Sequence, residues 1–170
     1  MAAKRKTKSK TKPKKASPIP KGLHTVTPYL SVAGCAEAIA FYVKAFGAKE
    51  LFRLVDPISG RIGHAELKIG DSVFMLAEES PASGFLGPKS SGGCPVRLHL
   101  AVKDSDAVVA RAAAAGATVT RTVREEFYGS RAGNITDPFG HSWMVSTQVK
   151  VVSPKQMQKI WADMVKGTKA

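Results

Sequence analysis

An internal duplication limits the folds open to this chain more than any other property of its sequence. Leu30 and Val32 in the segment YLSV recur as Leu100 and Val102 in HLAV, a shift of 70 residues. At the same shift Gly63 matches Gly133, Gly70 matches Gly140 and Ser72 matches Ser142. The pair Gly47 and Ala48 matches Gly116 and Ala117 at a shift of 69, which a single-residue slip accommodates. Solenoid repeats have periods of about 20–50 residues, so this period is too long for a stacked array. Two copies in a chain of 170 residues imply one domain made of two similar modules.

The modules span about residues 24–79 and 96–148, and each opens on an alternating segment. Pro28, Leu30 and Val32 face one way and Thr27, Tyr29 and Ser31 the other; Leu98, Leu100 and Val102 oppose Arg97, His99 and Ala101. Period 2 with one polar side predicts a half-buried strand. A helix follows in each module. Ile39, Tyr42, Val43 and Phe46 make one apolar stripe, and so do Val108, Val109, Ala112 and Ala115. Gly47 and Gly116 stand where these helices should end, and Asp104 or Ser105 can cap the second. Three strands complete each module: residues 50–55, 61–69 and 72–77 in the first, and 118–124, 133–136 and 142–147 in the second. The expected fold is α+β, strand–helix–strand–strand–strand twice over. Residues 80–95, rich in Gly, Ser and Pro, read as the inter-module linker.

Charge separates the ends from the body. The net charge is +13, yet residues 22–148 carry twelve basic and twelve acidic side chains. Residues 1–21 carry nine basic side chains and no acid, and residues 149–170 carry five against Asp163. The first segment has too few apolar residues to offset the entropy of ordering it, so a disordered basic arm is expected. Residues 4–21 could hold nucleic acid non-specifically by counterion release, or serve only as a solubilising tail. In the last segment Ser153 and Pro154 open a C-terminal helix with the stripe Met157, Ile160, Trp161, Met164 and Val165, closed by Gly167. Its cover is either the chain's own body or a partner. No apolar run reaches the roughly 18 residues of a membrane span, and the basic start has no apolar segment after it. Cys35 and Cys94 are too few for a disulfide framework. Together these point to a cytoplasmic setting.

The segments TPYLSVAGCAEAIAFYVKAFGAKEL (27–51), GHAELKIGDSVFML (63–76) and YGSRAGNITDPFGHSW (128–143), repeated in this modular order, resemble the vicinal oxygen chelate superfamily. That superfamily holds glyoxalases, bleomycin resistance proteins and dioxygenases, and the local likeness is to its PhnB-like subgroup. The resemblance covers residues 22–148 and neither end. It implies that two βαβββ modules form a curved mixed sheet, the glyoxalase-like fold, with a ligand in the cup. It also implies, from the habit of the family, a homodimer. Metal-using members place a ligand on the first and last strand of each module. Laid on this sequence, those positions resemble Thr27, Met75, Arg97 and Met144. Thioethers do not suit hard or borderline divalent ions, and a guanidinium repels a cation, so no metal centre and no other cofactor is expected.

Alternation puts Thr27, Tyr29, His64, Glu66, Arg97 and His99 on the polar side of the cup, with Asn134 and Thr136 in the duplicate places of His64 and Glu66. Met75, Met144 and Trp143 are expected as apolar or stacking wall. Such a pocket suits a small organic molecule with an anionic or oxygen-rich group, with Arg97 as its charge partner. A sharper reading makes His64 and Glu66, two apart on one strand, metal ligands or acid/base groups with His99 as the third. The alternative is a hydrogen-bonded network that satisfies polar groups. Three functions follow: a metal-independent binder, a lyase or dioxygenase-type enzyme with relocated ligands, and a nucleic-acid-associated protein working through its arm. His141 reads as a turn histidine, Cys35 as a small packed residue, and the pairs Glu78-Glu79 and Glu125-Glu126 as solvated strand ends. Arg131 reads as a partner of Asp137 or Glu126, or as a residue that reaches the pocket mouth.

Overall fold

Each alternating segment forms a strand and each stripe a helix, in the order the duplication requires. The computed structural model describes residues 16–167, so most of the basic arm expected at residues 1–21 lies outside the described residues. The first module runs β1 (Tyr29–Val32), α1 (Cys35–Phe46), β2 (Lys49–Val55), β3 (Ile62–Ile69) and β4 (Ser72–Glu78). The second runs β5 (Arg97–Ala101), α2 (Ser105–Ala114), β6 (Thr118–Glu125), β7 (Ser130–Thr136) and β8 (Ser142–Gln148). A third helix, α3 (Pro154–Gly167), closes the chain. The strands form two four-stranded mixed sheets, β1-β4-β3-β2 and β5-β8-β7-β6. In each, the first strand pairs in parallel with the last and the other pairs are antiparallel.

Helices α1 and α2 cover one side of the sheets and leave the other open. Leu67, Leu76, Ile135 and Val145 are fully buried beneath them, while the alternate positions His64, Glu66 and Met75 are half-buried. Helix α1 buries a wider arc than its stripe: Cys35, Ala38, Phe41 and Ala45 go inside, whereas Val43 stays 44% exposed. The reason is that α1 packs across both modules. Tyr42 and Phe46 lie against Trp143 of β8, with ring centroids 5.6 and 4.8 Å away, and Tyr42 also meets Phe74 of β4.

Asp137 fixes this junction. Its buried carboxylate accepts from the Tyr42 hydroxyl (2.8 Å), the Trp143 indole N–H (2.9 Å) and the backbone N–H groups of Phe139 and His141 (2.9 Å each). The DPFGHSW segment is therefore a turn whose acid is also the clasp between the modules. His141 adds a second clasp. Its Nε2–H donates to the Ser31 carbonyl of β1 at 3.1 Å, and burial pushes its pKa down. Two turn glycines have a steric reason. Gly129 has φ +88°, and a Cβ there would lie 2.5 Å from the Lys150 carbonyl oxygen; Gly140 has φ +96° and would meet Pro88 at 2.9 Å.

Several acids do more than end a strand. Glu78 caps α1, accepting from the Gly34 and Cys35 N–H groups at 2.7 and 2.9 Å. Glu79 holds residues 80–95 in place through Gly87 N–H and the Ser90 hydroxyl. Glu126 accepts from Arg121 and Arg124. Arg131 pairs with Asp106 on α2, not with Asp137 or Glu126, because the four donors around Asp137 already enclose it. Asp104 caps α2 through Ala107 N–H, and Ser153 and Gln156 exchange bonds at the start of α3. Helix α3 rests Trp161 against Phe127, ring centroids 5.9 Å apart, with Ile160, Met164 and Val165 still partly exposed.

Candidate functional site

The open side of each sheet is ordered in rows by strand register. In the first module one row reads Tyr29, Met75, Glu66, Phe52 across β1, β4, β3 and β2. In the second the equivalent row reads His99, Met144, Asn134, Arg121 across β5, β8, β7 and β6. Residues directly opposite one another share a face, so each row is a contiguous strip of side chains. The rows show that the repeat is not constant. The shift is 70 between Tyr29 and His99, 69 between Met75 and Met144, and 68 between Glu66 and Asn134. Asn134 is therefore the counterpart of Glu66, not of His64.

The first face combines an aromatic and apolar surface with one polar chain. Tyr29 Oη lies 3.0 Å from His64 Nδ1, and His64 Nε2 lies 3.7 Å from Glu66 Oε1. The phenol and the imidazole hydrogen-bond each other, with donor and acceptor set by the imidazole tautomer, and the Glu66 carboxylate stands beside them at ion-pair distance. The Tyr29 pKa is raised by burial. Around this chain stand Phe52, 5.5 Å from the His64 ring, and Phe85, 5.4 Å from the Tyr29 ring. Leu54 pairs with His64 in register and remains 59% exposed. Phe85 comes from the segment expected to be only a linker. Ser31 Oγ donates to its carbonyl, and a depression of about 380 Å³ opens there between Tyr29, Arg61, Ala77 and Phe85.

The second face is polar and basic. Arg97 Nε donates to Ser142 Oγ at 3.2 Å, and His99 Nε2 meets Ser146 Oγ at 2.6 Å. Arg121 and Arg124 share Glu126, which burial would raise but the two guanidinium groups hold below the usual carboxylate range. Asn134 is 9% exposed, beside Met144.

Of the residues singled out from sequence, Tyr29, His64, Glu66 and Met75 come together on the first face, and Arg97, His99 and Met144 on the second. Two do not follow. Trp143 turns to the helix side, 4% exposed among Tyr42, Phe46 and Phe74, because Met144 next to it takes the open face and adjacent strand residues alternate. Thr27 lies before β1 and is engaged in a turn, its hydroxyl donating to the His24 carbonyl at 3.0 Å. Phe52 and Arg121 also stand on these faces, brought there by bulges in β2 and β6 that strict alternation does not reveal; Phe85 carried no sequence signal.

A divalent metal centre does not fit these residues. The strand register aligns Tyr29, not Thr27, with Met75, and His99, not Arg97, with Met144. One phenol, one imidazole and two thioethers are a poor donor set for such an ion. His99 does not join His64 and Glu66, which belong to the other module's sheet. Among the described residues no group of three or more His, Cys, Asp or Glu could hold a metal ion. Cys35 is equally unsuited to nucleophilic work. Burial, then the charge of Glu78, pushes its thiol up to about 12. Among the described residues no helix is long and apolar enough to cross a membrane.

The chain matches the family model described as the Glyoxalase/Bleomycin resistance protein/Dioxygenase superfamily over residues 22–145. A protein of Mycobacterium bovis is 41% identical over 136 residues, covering 78% of this chain and 89% of that one. The X-ray structure of an Arabidopsis thaliana gene product is 31% identical with a TM-score of 0.59, covering 73% of this chain and 98% of that chain. The crystal structure of TioX from Micromonospora sp. ML1 is 26% identical with a TM-score of 0.57, covering 72% and 97%.

Proposed function

The chain belongs to the Glyoxalase/Bleomycin resistance protein/Dioxygenase superfamily, and on that premise we propose that it binds a small organic molecule against the open faces of its two sheets, without a divalent metal. The observation that carries this is the Tyr29–His64–Glu66 chain set among Phe52, Phe85, Leu54 and Met75. Polar groups that could have been solvated or buried are held half-open beside exposed apolar side chains. That combination gives a ligand both orientation and desolvation energy. Exposed Phe52 and Leu54 also suit cover by a second copy of the chain, so the binding form is a homodimer.

The test is calorimetric titration of the full chain with benzyl alcohol, benzylamine and phenylacetate, in EDTA and then in excess Zn²⁺. Support is binding unaffected by EDTA and weakened about tenfold or more by His64→Ala and Tyr29→Phe, the loss expected when hydrogen bonds to the ligand disappear. Binding that needs Zn²⁺, or that is equal in both variants, would sink the proposal. Light scattering checks the dimer; a monomer at tens of micromolar with ligand present refutes that part.

A further inference from the structure

The whole net charge of the chain sits on its two ends, outside the modules, and one end carries an apolar face as well. Residues 1–21 hold nine basic side chains against no acid and residues 149–170 five against one, while residues 22–148 are neutral. Helix α3 separates the two kinds of group. At 3.6 residues per turn Met157, Ile160, Trp161, Met164 and Val165 fall within about 140° of arc, and Lys155, Lys159 and Lys166 fall together on the far side. None of the residues of α3 is buried. Trp161 leans on Phe127 yet stays 53% exposed, and Val165 stays 41% exposed. Phe127 in turn meets Tyr128, ring centroids 5.3 Å apart, and both are half-buried on the turn between β6 and β7. Trp161, Phe127 and Tyr128 are thus a contiguous aromatic edge beside the stripe. Among the described residues no acid lies within ion-pair distance of Lys155, Lys159 or Lys166. A helix of 14 residues is marginal in water by itself, so this one gains stability from a cover over its stripe.

We infer that α3 and its aromatic edge dock on an anionic lipid surface, with the helix lying flat, its stripe at the acyl boundary and its lysines on the water side. A polar face rich in lysine opposite an apolar face that includes tryptophan is the composition of an interfacial helix. Tryptophan and tyrosine suit the headgroup level, where one end of the ring is apolar and the other wet. The helix is about 10 Å across, so its lysines stay within a Debye length of the headgroups. Charge selects this cover over the others. A second copy would set +13 against +13. A nucleic acid would take the lysines and leave the stripe in water. An acidic groove on a protein would take α3 alone, whereas a lipid surface is wide enough to hold the basic residues of both ends. Stable attachment takes two signals, and the chain has two: the amphipathic helix and the basic segment at the other end. The neutral body between them is carried to the surface by its appendages, whatever it binds.

The chain has two tryptophans, and Trp143 is buried among core rings, so a change in emission on docking reports Trp161. The full chain is floated with vesicles of phosphatidylcholine alone and of phosphatidylcholine with about one third phosphatidylserine, and emission spectra are recorded with each. The expected result is binding to the anionic vesicles at least about tenfold tighter than to the neutral ones, with a blue shift that Trp161→Phe abolishes. The pair Ile160→Ser and Val165→Ser, and the trio Lys155→Gln, Lys159→Gln and Lys166→Gln, should each weaken binding about tenfold or more. These positions are exposed, and near-UV circular dichroism confirms that the variants are folded. Flotation with neither vesicle, or equally with both, overturns the inference. So does flotation without a blue shift that survives Ile160→Ser and Val165→Ser, because the basic segment at residues 1–21 then acts alone. If acrylamide quenching of Trp161 falls as protein without vesicles is raised from about 1 to about 100 μM, a second copy covers the stripe and the inference is again overturned.

Discussion

Tyr42→Phe removes one hydroxyl from the junction between the modules and leaves the ring packing intact. The hydroxyl is fully buried, donates to Asp137 at 2.8 Å, and its pKa is raised well above the usual tyrosine value by burial and by that carboxylate, so it remains a donor at any ordinary pH. A hydrogen bond to a charged group contributes about 1.5–3 kcal/mol. Asp137 keeps three other donors after the change, so no charge is stranded and the expected loss is about 2 kcal/mol. At this chain length that corresponds to roughly 4–8 °C in Tm. Asp137→Ala strips all four donors of their acceptor. With partial relaxation it should cost about 4 kcal/mol, a large share of a stability of 5–15 kcal/mol. The decisive measurement is the double variant in urea titrations followed by circular dichroism. Once Asp137 is gone, the phenylalanine has no bond left to lose, so the double variant should match Asp137→Ala within about 0.5 kcal/mol. The coupling energy is then about 2 kcal/mol. Additive losses, or a Tyr42→Phe cost below about 0.5 kcal/mol, would refute the account of Asp137 as the shared acceptor.

Three further predictions are independent of the ligand. His141 has its pKa lowered by burial, so the unfolded chain binds more protons than the folded one as pH falls. Stability should therefore drop below about pH 6.5, the ordinary histidine value, and flatten again below the folded pKa; His141→Gln should lessen this slope in urea midpoints measured from pH 7 to 5. Iodoacetamide at pH 8 should label the partly exposed Cys94 in the native protein and reach buried Cys35, whose thiol is pushed up to about 12, only after unfolding; mass spectrometry of digested protein reads the order. Gly129→Ala forces a Cβ to within 2.5 Å of the Lys150 carbonyl oxygen at φ +88°, and should cost at least about 3 kcal/mol in chemical denaturation, against about 1–2 kcal/mol for Gly60→Ala, where φ +71° strains the backbone but the Cβ meets open space.

Much of the site was legible in outline. Period 2 placed Tyr29, His64, Glu66, Arg97 and His99 on open faces without any structure, because alternation is a property of the strand itself, while Met75 and Met144 came from the family resemblance. Trp143 was expected on the same wall as Met144, but adjacent strand residues point to opposite faces, and Trp143 goes to the helix side. What alternation could not supply was the partner of each residue. Leu51 in β2, and Thr120, Thr122 and Val123 in β6, interrupt the ladders, so Phe52 and Arg121 reach their rows through bulges that no pattern announces.

The amino-acid sequence alone determined the order of strands and helices in the two modules, the local caps Asp104 and Ser153, the turns, and the confinement of net charge to the ends. Each of these rests on contacts between residues near one another in the chain, and the duplication reinforces the reading. The tertiary structure decided register, and with it that Glu66 corresponds to Asn134 and Phe52 to Arg121. It also decided that Asp137 and His141 clasp the two modules, that Glu78 caps a helix, and that Phe85 stands over Tyr29. Those contacts join residues far apart in sequence. Their geometry is set by sheet pairing and by packing of α1 across both modules, and hydrophobic pattern specifies only which side of each element goes inside.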